Sequence, residues 1–562
     1  MSEYVPWVES LGEVYGSGPG SDVPPEYEQR FKTLVNTFTE IYGTKPDFVS
    51  RSPGRVNIIG EHVDYSLYNV LPTAIINDVV IAVQVVKEED DNDDDNDDDN
   101  DDDNDDDNAN GAKRRKLTIS NLNPTKYPTE EYLIPASGRV TVDNLDHKWS
   151  NYFLAGVSGA LEFLRRRRLK HDDEVQEFHP RGMKVLVHGS VPPGGGLSSS
   201  AAFVCASALA AFVANGQSQV SKQDLLDECI VSERSVGVFS GGMDQAASIF
   251  SQRGFLLYCR FWPQFSAEHV PLLPQPRDAA ANNDPEFTFL IAQSFVTSDK
   301  AVTAPVHYNL RVVEVTLAAL VLAKLHDITL QPDNSSLHFS LRNFQEEIVK
   351  KEQREKTVEE QVELVTDIIK SKLGRDSYTR EDIAAILEIS TDTLETQYLS
   401  QFPIRADSFK LRQRALHVLE EAHRVLQFRR ILSDSGVNQK TTNDNNSSSL
   451  DQARLVQLGE LMNQTQLSCR DVFECSCPEV DDICAIARRA GAYGSRLTGA
   501  GWGGCTVHLL PQTVVEAVVS ALKEEYYFKK FPNITSEALR EAIVTSKPGQ
   551  GSSLIHGKAL DL

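Results

Sequence analysis

Apolar side chains alternate with polar or small ones over Val56-Asn57-Ile58-Ile59-Gly60 and over Lys184-Val185-Leu186-Val187-His188. Both read as short strands, the first running into a turn. Cys505-Thr506-Val507-His508-Leu509-Leu510 follows the same pattern, and two further strands fall at 79–86 and 116–120. Residues 199–214 are mostly small and predict a helix. Residues 151–164 predict another, closed by Arg165-Arg166-Arg167-Arg168, where cations favour the C-terminal end of the dipole. The second half is more helical. Residues 309–325 are apolar at helical spacing and predict a buried helix, 344–373 a charged amphipathic one, and 411–432 a third. Residues 1–30, rich in Gly, Pro and Glu, predict a loose arm. No repeat of domain size is visible. The pattern predicts an α+β chain of two domains, 31–265 and 285–560.

Composition sharpens this reading. At 562 residues the chain exceeds one compact domain, and 40% hydrophobic content is ample for buried cores. The net charge of −25 is concentrated, because 16 acidic residues lie between Glu88 and Asp107; without those 16 it falls to −9. Nothing in that balance points to nucleic acid as a direct partner. The tract repeats Asn-Asp-Asp-Asp, so it repels itself and has nothing to bury. Residues 88–110 are therefore expected to be a disordered insert between two strands. The tract lacks the turn Gly and terminal Glu of an EF-hand loop. Residues 443–449 read as a second, dispensable polar insert. The eight cysteines form no zinc-type pattern and read as free thiols. There is no secretory start and no apolar run of the ~20 residues a bilayer requires. The expected location is the cytoplasm, away from any membrane.

Three segments carry chemistry. Gly54-Arg55-Val56-Asn57-Ile58-Ile59-Gly60-Glu61-His62-Val63-Asp64-Tyr65 places an arginine, two carboxylates and an imidazole where a strand ends. Glu61, His62 and Asp64 are suited to hold adjacent hydroxyls, as a sugar ring requires. Val191-Pro192-Pro193-Gly194-Gly195-Gly196-Leu197-Ser198-Ser199-Ser200 joins a strand to a helix N-terminus. That is a phosphate cradle: glycines let backbone N–H groups approach an anion, and the helix dipole adds positive charge. The serine hydroxyls suit Mg2+ or phosphate oxygens. The pattern lacks the Lys of a Walker loop. Gly494-Ser495-Arg496-Leu497-Thr498-Gly499-Ala500-Gly501-Trp502-Gly503-Gly504-Cys505 is a third glycine-rich loop, able to approach a ligand or another loop closely.

These segments, in this order, resemble the three signature motifs of the GHMP kinases, and the first resembles the galactokinase signature. Asn69-Val70-Leu71-Pro72, Trp149-Ser150-Asn151-Tyr152, Gly241-Gly242-Met243-Asp244-Gln245, Tyr308-Asn309-Leu310-Arg311 and Cys475-Ser476-Cys477-Pro478-Glu479 are similar to fungal galactokinases. The resemblance implies a two-domain GHMP-kinase-like fold with the active site in the interdomain cleft. It implies phosphoryl transfer from ATP, with Mg2+, to the 1-hydroxyl of galactose, the first committed step of galactose catabolism. It assigns Asp244 to the sugar's 1-hydroxyl and Arg55 to the transferring phosphate. It assigns Glu61, His62, Asp64 and Tyr308 to galactose, and Gly194, Gly196, Ser198 and Ser199 to the ATP phosphates and Mg2+. Glu233 is similar to a family acid linked to the metal, and Lys300 to a residue near the nucleotide; Asp299 departs from the Asn often found there. The chemistry agrees: a carboxylate accepts the hydroxyl proton, and a guanidinium keeps it ionised and stabilises phosphoryl charge. Whether Asp244 removes the proton or only orients the hydroxyl stays open. So do two neighbouring functions: an N-acetylgalactosamine 1-kinase, and a galactose- and ATP-dependent co-inducer that binds a transcriptional repressor. The chain is expected to act as a monomer.

Loop length costs little in closure entropy. Deleting residues 90–108 and rejoining the flanking chain should therefore leave kcat within a few-fold. Collapse of folding or activity would contradict the reading of the tract as a solvated insert.

Overall fold

The computed structural model describes residues 3–557, apart from 17, 19–20, 87–114, 136–137, 143–147, 170–177, 238, 273–286, 298–302, 354, 401–403 and 434–446. Its larger sheet has seven strands in the order β1-β13-β2-β3-β6-β4-β5. The strands are β1 (Trp7–Val8), β2 (Phe48–Ile59), β3 (Leu71–Val85), β4 (Arg115–Asn121), β5 (Glu130–Ile134), β6 (Met183–Gly189) and β13 (Ser553–His556). β2, β3 and β6 form an antiparallel centre, and β6 pairs β4 in parallel. Every residue of β2 is buried, so both of its faces are covered. Helix Ser199–Ala214, nearly all buried, packs on β2 and β3 and against helix Asn151–Leu169. Its small residues permit that approach; a Cβ on Gly156 would stand 2.5 Å from the Val204 carbonyl.

The second unit is a four-stranded antiparallel sheet, β10 (Gly494–Thr498), β11 (Cys505–Pro511), β9 (Phe287–Gln293) and β12 (Ile543–Ser546). Helix Tyr308–Leu325 is buried on nearly every side, as its apolar run predicts, and helix Leu411–Ser433 packs against it. A hairpin of β7 (Phe255–Arg260) and β8 (Ser266–Pro271) joins the units. All eight cysteines are free thiols. No helix among the described residues is long and apolar enough to cross a membrane.

Four expectations need correction. Residues 1–30 are not a loose arm. Trp7–Val8 adds to the sheet edge, and Val5, Val8, Leu11, Val14 and Tyr15 are buried. The chain from 285 to 560 does not stay in the second unit, because β13 returns to pair with β2. The single helix expected over 344–373 is two, Leu341–Glu352 and Val358–Lys372, since Gln353 turns left-handed (φ 53°) and Thr357 begins a new helix through a capping box with Glu360. Residues 447–449 of the expected polar insert open helix Ser447–Asp471. The acidic tract at 88–110 lies outside the described residues.

A buried carboxylate ties the N-terminal segment and the segment before β13 to one point. Asp78 on β3 takes Arg30 Nη1, Arg51 Nε and the Tyr15 hydroxyl, each at 2.6 Å. Arg51 also donates to the carbonyls of Gln550 and Gly551 at 2.9 Å, which ties the tail to the same centre. Burial alone would raise the Asp78 carboxyl; the two guanidiniums outweigh it and hold the group below the usual carboxylate range.

Asp78→Asn leaves two arginines without their counter-charge and should cost about 3–5 kcal/mol in denaturant unfolding. Because the folded pKa is depressed, the wild-type contribution is fully present above the ordinary value of 3.8 and is lost as pH falls below it. The gap between wild type and variant should therefore narrow in acid. An equal gap at pH 3 and pH 7 would contradict this.

Candidate active site

β2 ends at Ile59 beside a register shift against β3, and the chain turns through Gly60 (φ 105°) and His62 (φ 60°) into a short 3-10 helix, Asp64–Ser66. This turn brings Glu61, His62 and Asp64 to one side. From the opposite wall comes helix Met243–Phe250, with Gly242 (φ 104°) before it and Asp244 in its first turn. Asp64 accepts a hydrogen bond from the Met243 N–H at 3.2 Å. Gly241 has no room for a side chain, because a Cβ there would overlap the Asp64 carboxylate and stand 2.5 Å from the Tyr65 nitrogen. Burial first, and the Asp244 charge second, push the Asp64 carboxyl up to about 6, against the opposing Met243 N–H.

Arg55, 3% exposed, is the centre of the arrangement. Its Nε and Nη2 meet Asp244 Oδ1 at 2.8 and 2.7 Å, while Nη1 donates to the Gly196 carbonyl at 2.6 Å. The carboxylate wall and the glycine-serine loop are thus joined by one guanidinium. That loop has a geometry suited to an anion: Gly194 (φ 70°), Gly196 (φ 74°) and Ser198 (φ 59°) precede helix Ser199–Ala214, and the Ser198 hydroxyl is buried without a hydrogen-bond partner. The third glycine loop locks against it. A Cβ on Gly499 would overlap Gly196, and one on Gly196 would stand 2.8 Å from the Thr498 carbonyl.

The expected residues separate into two adjoining spaces. Arg55, Glu61, His62, Asp64, Glu233, Asp244 and Tyr308 line a small pocket, with Gly499 and Ala500 as part of its wall. Gly194, Gly196, Ser198 and Ser199 line a cavity of about 840 Å³ next to it, and Ala500 borders both. Lys300 lies outside the described residues.

Three details go beyond the sequence. The His62 ring is already engaged: Nε2 donates to the Ala500 carbonyl at 2.9 Å, Nδ1 accepts from the Tyr65 hydroxyl at 3.3 Å, and the ring packs among Tyr308, Phe473 and Trp502. Glu61 Oε2 is held by Arg496 and by the Gly499 N–H. Ser200, and not Ser199, bonds Glu233, at 2.7 Å, and Gln245 takes the other oxygen. The larger cavity also has an aromatic wall that no site reading of the sequence included. Trp149 lies parallel to Phe203 with ring centres 6.1 Å apart, and Tyr127 tilts against Trp149. Trp149 lies in one of the motifs quoted above, which was the available signal. Serine hydroxyls and the Glu233 carboxylate are hard oxygen donors of the kind Mg2+ prefers, and the unpartnered Ser198 hydroxyl fits such a role.

Comparison with known proteins bears on the same segments. Residues 36–85 match the galactokinase galactose-binding signature, 155–252 the GHMP kinase N-terminal domain and 447–527 the GHMP kinase C-terminal domain. The chain is 38% identical over 552 residues to a galactokinase of Saccharomyces cerevisiae, spanning 95% of this chain and 96% of that one. It is 35% identical over 551 residues to a galactokinase of Schizosaccharomyces pombe, with the same coverage of 95% and 96%. Its fold matches Lactococcus lactis galactokinase, solved with galactose, at a TM-score of 0.59 and 20% identity, covering 92% of this chain and 98% of that one.

Gly241→Ala forces Asp64 aside without removing a polar group. A displacement near 1 Å should cost roughly 10²-fold in kcat/KM for the pocket's ligand, measured per folded molecule because the clash with the Tyr65 backbone also lowers stability. Unaltered kcat/KM would show that the Asp64 position does not matter.

Proposed function

The chain belongs to the galactokinases of the GHMP kinase family, and from that membership we propose that it transfers the terminal phosphoryl group of ATP to the 1-hydroxyl of galactose, giving galactose 1-phosphate and ADP. The observation that carries the reading is the Arg55 guanidinium, bonded at once to Asp244 and to the Gly196 carbonyl. It sets the sugar pocket and the phosphate cradle edge to edge, which is the geometry an in-line transfer requires.

Galactose enters the small pocket against Asp64, Glu61, the His62 ring and Tyr308, with its 1-hydroxyl toward Asp244. Galactose differs from glucose only in configuration at the 4-position, so choice between them needs a buried acceptor aimed there. Asp64, held by the Met243 N–H, is suited to that task. The adenine ring lies along Trp149, Phe203 and Tyr127, and the phosphates on the N–H groups around Gly194 to Ser199. Ser198, Ser199 and Glu233 would hold Mg2+, which supplies positive charge to the phosphate oxygens. Asp244 orients the 1-hydroxyl and accepts its proton as the sugar oxygen bonds to phosphorus and the bond to ADP breaks. Arg55 keeps Asp244 ionised and stabilises charge on the transferring group.

An assay of ADP release with galactose, glucose and N-acetylgalactosamine tests the function directly, and galactose should be turned over best. Asp244→Asn should lose roughly 10² to 10⁴ in kcat while still binding galactose and ATP at an unchanged melting temperature. A near-normal kcat would refute the assignment of Asp244.

A further inference from the structure

Helix Leu411–Ser433 runs beneath the sugar-recognition loop. His417, Glu421 and Val425 follow the four-residue spacing that puts side chains on one helix face, and all three meet the loop. Glu421 Oε1 accepts from two consecutive backbone N–H groups, Gly60 at 2.7 Å and Glu61 at 3.1 Å. Its Oε2 accepts from the Thr465 hydroxyl at 2.8 Å and Arg424 Nε at 2.7 Å. His417 Nε2 donates to the Glu61 carbonyl at 3.0 Å, while its Nδ1 takes the Ser468 hydroxyl at 2.9 Å. A Cβ on Gly60 would stand 3.1 Å from Val425 Cγ2 and 3.0 Å from Val70 Cα, so a side chain there would crowd both the helix and the chain just before β3.

Successive N–H groups at a glycine of positive φ make an anion-binding concavity. Here it is filled from within by a fully buried carboxylate of the protein itself. Burial opposes the ionised form of Glu421, but Arg424 and Arg496 hold its carboxyl down at about 2, so it is an acceptor throughout the working pH range. Arg496, the second cation, also grips the Glu61 side chain. Glu61 is therefore held at its N–H, its carbonyl and its carboxylate, each time by the second half of the chain. Neither His417 nor Glu421 lines the pocket.

We propose that His417 and Glu421 are positioning residues, a clamp from the second unit that presets the Glu61-His62-Val63-Asp64 loop for the sugar, so that galactose affinity depends on them while nucleotide use does not. The proposal rests on the galactokinase reading, and wild-type turnover of galactose tests that reading separately. Charge-assisted bonds to backbone N–H groups are short and directional. Losing one lets the loop drift, and a drift of even 1 Å degrades a hydrogen-bonded site by up to ~10²-fold.

The experiment uses full-length Glu421→Gln and His417→Gln, with galactose KM, ATP KM, kcat and melting temperature measured for each. The galactose KM should rise roughly tenfold or more in Glu421→Gln and about threefold or more in His417→Gln, with ATP KM and kcat within about threefold. A purely structural role would lower melting temperature and active fraction and leave both KM values alone, and that result overturns the proposal. Hydrogen exchange on the sugar-free wild-type protein supplies a readout independent of any variant's folding. The Gly60 and Glu61 amides should be strongly protected, and rapid exchange there would overturn the clamp.

Discussion

The arrangement depends on one buried cation. Arg55 is buried and stays charged, and an unpaired buried guanidinium would cost more than the fold could spare. Its compensation comes from two places far apart in sequence, the Asp244 carboxylate and the Gly196 carbonyl. Satisfying Arg55 therefore sets the first turn of helix Met243–Phe250 against the glycine-serine loop. The Arg55 backbone N–H is bonded to the Leu197 carbonyl at 3.1 Å, so side chain and main chain anchor the same loop. Gly54 is part of this constraint, since a Cβ there would stand 2.7 Å from that carbonyl. The small pocket and the larger cavity become neighbours because one charge needs both of their walls.

The same logic recurs at two other buried carboxylates, and each ties together distant parts of the chain. Asp78 draws Arg30, Arg51 and Tyr15 to one point, and through Arg51 it fixes the C-terminal segment. Glu421 joins a helix of the second unit to the loop of the first. The glycines then let the backbones close: Gly196 and Gly499 meet where neither tolerates a side chain. Polar groups buried in this way demand near-complete satisfaction, which makes the site rigid before any ligand arrives.

What was legible in the sequence was local. Residues 54–65, 191–202 and 494–505 each hold their pattern in a contiguous run, so residue types and spacing were enough to read strand, turn and glycine loop, and helix Ser199–Ala214 has the bounds that its composition predicts. What was not legible depends on pairing across long separations. Nothing near Glu421 or His417 in the sequence announces that they hold residue 61, and β13, four residues long, carries no periodic signal of its own. The buried N-terminal segment failed in part for the same reason: Trp7 and Val8 pair with a strand at the other end of the chain, while its Gly and Pro content masked Leu11, Val14 and Tyr15, which pack on Phe31, Leu34 and Phe38. The helix break at Thr357 is different, because Thr357 and Glu360 spell a capping box that amphipathic periodicity overrode. Among the serines, composition could not say which faces Glu233; helix geometry turns Ser200 to it and leaves Ser198 unpartnered.

The most direct test of the account is a crystal structure of the full-length protein with galactose and a non-hydrolysable ATP analogue. The account predicts the sugar's 1-oxygen within about 3 Å of Asp244, the terminal phosphate beside Arg55 and the serine loop, and the adenine along Trp149. A sugar that presents a different hydroxyl to Asp244, or phosphates seated away from residues 194–199, would contradict it.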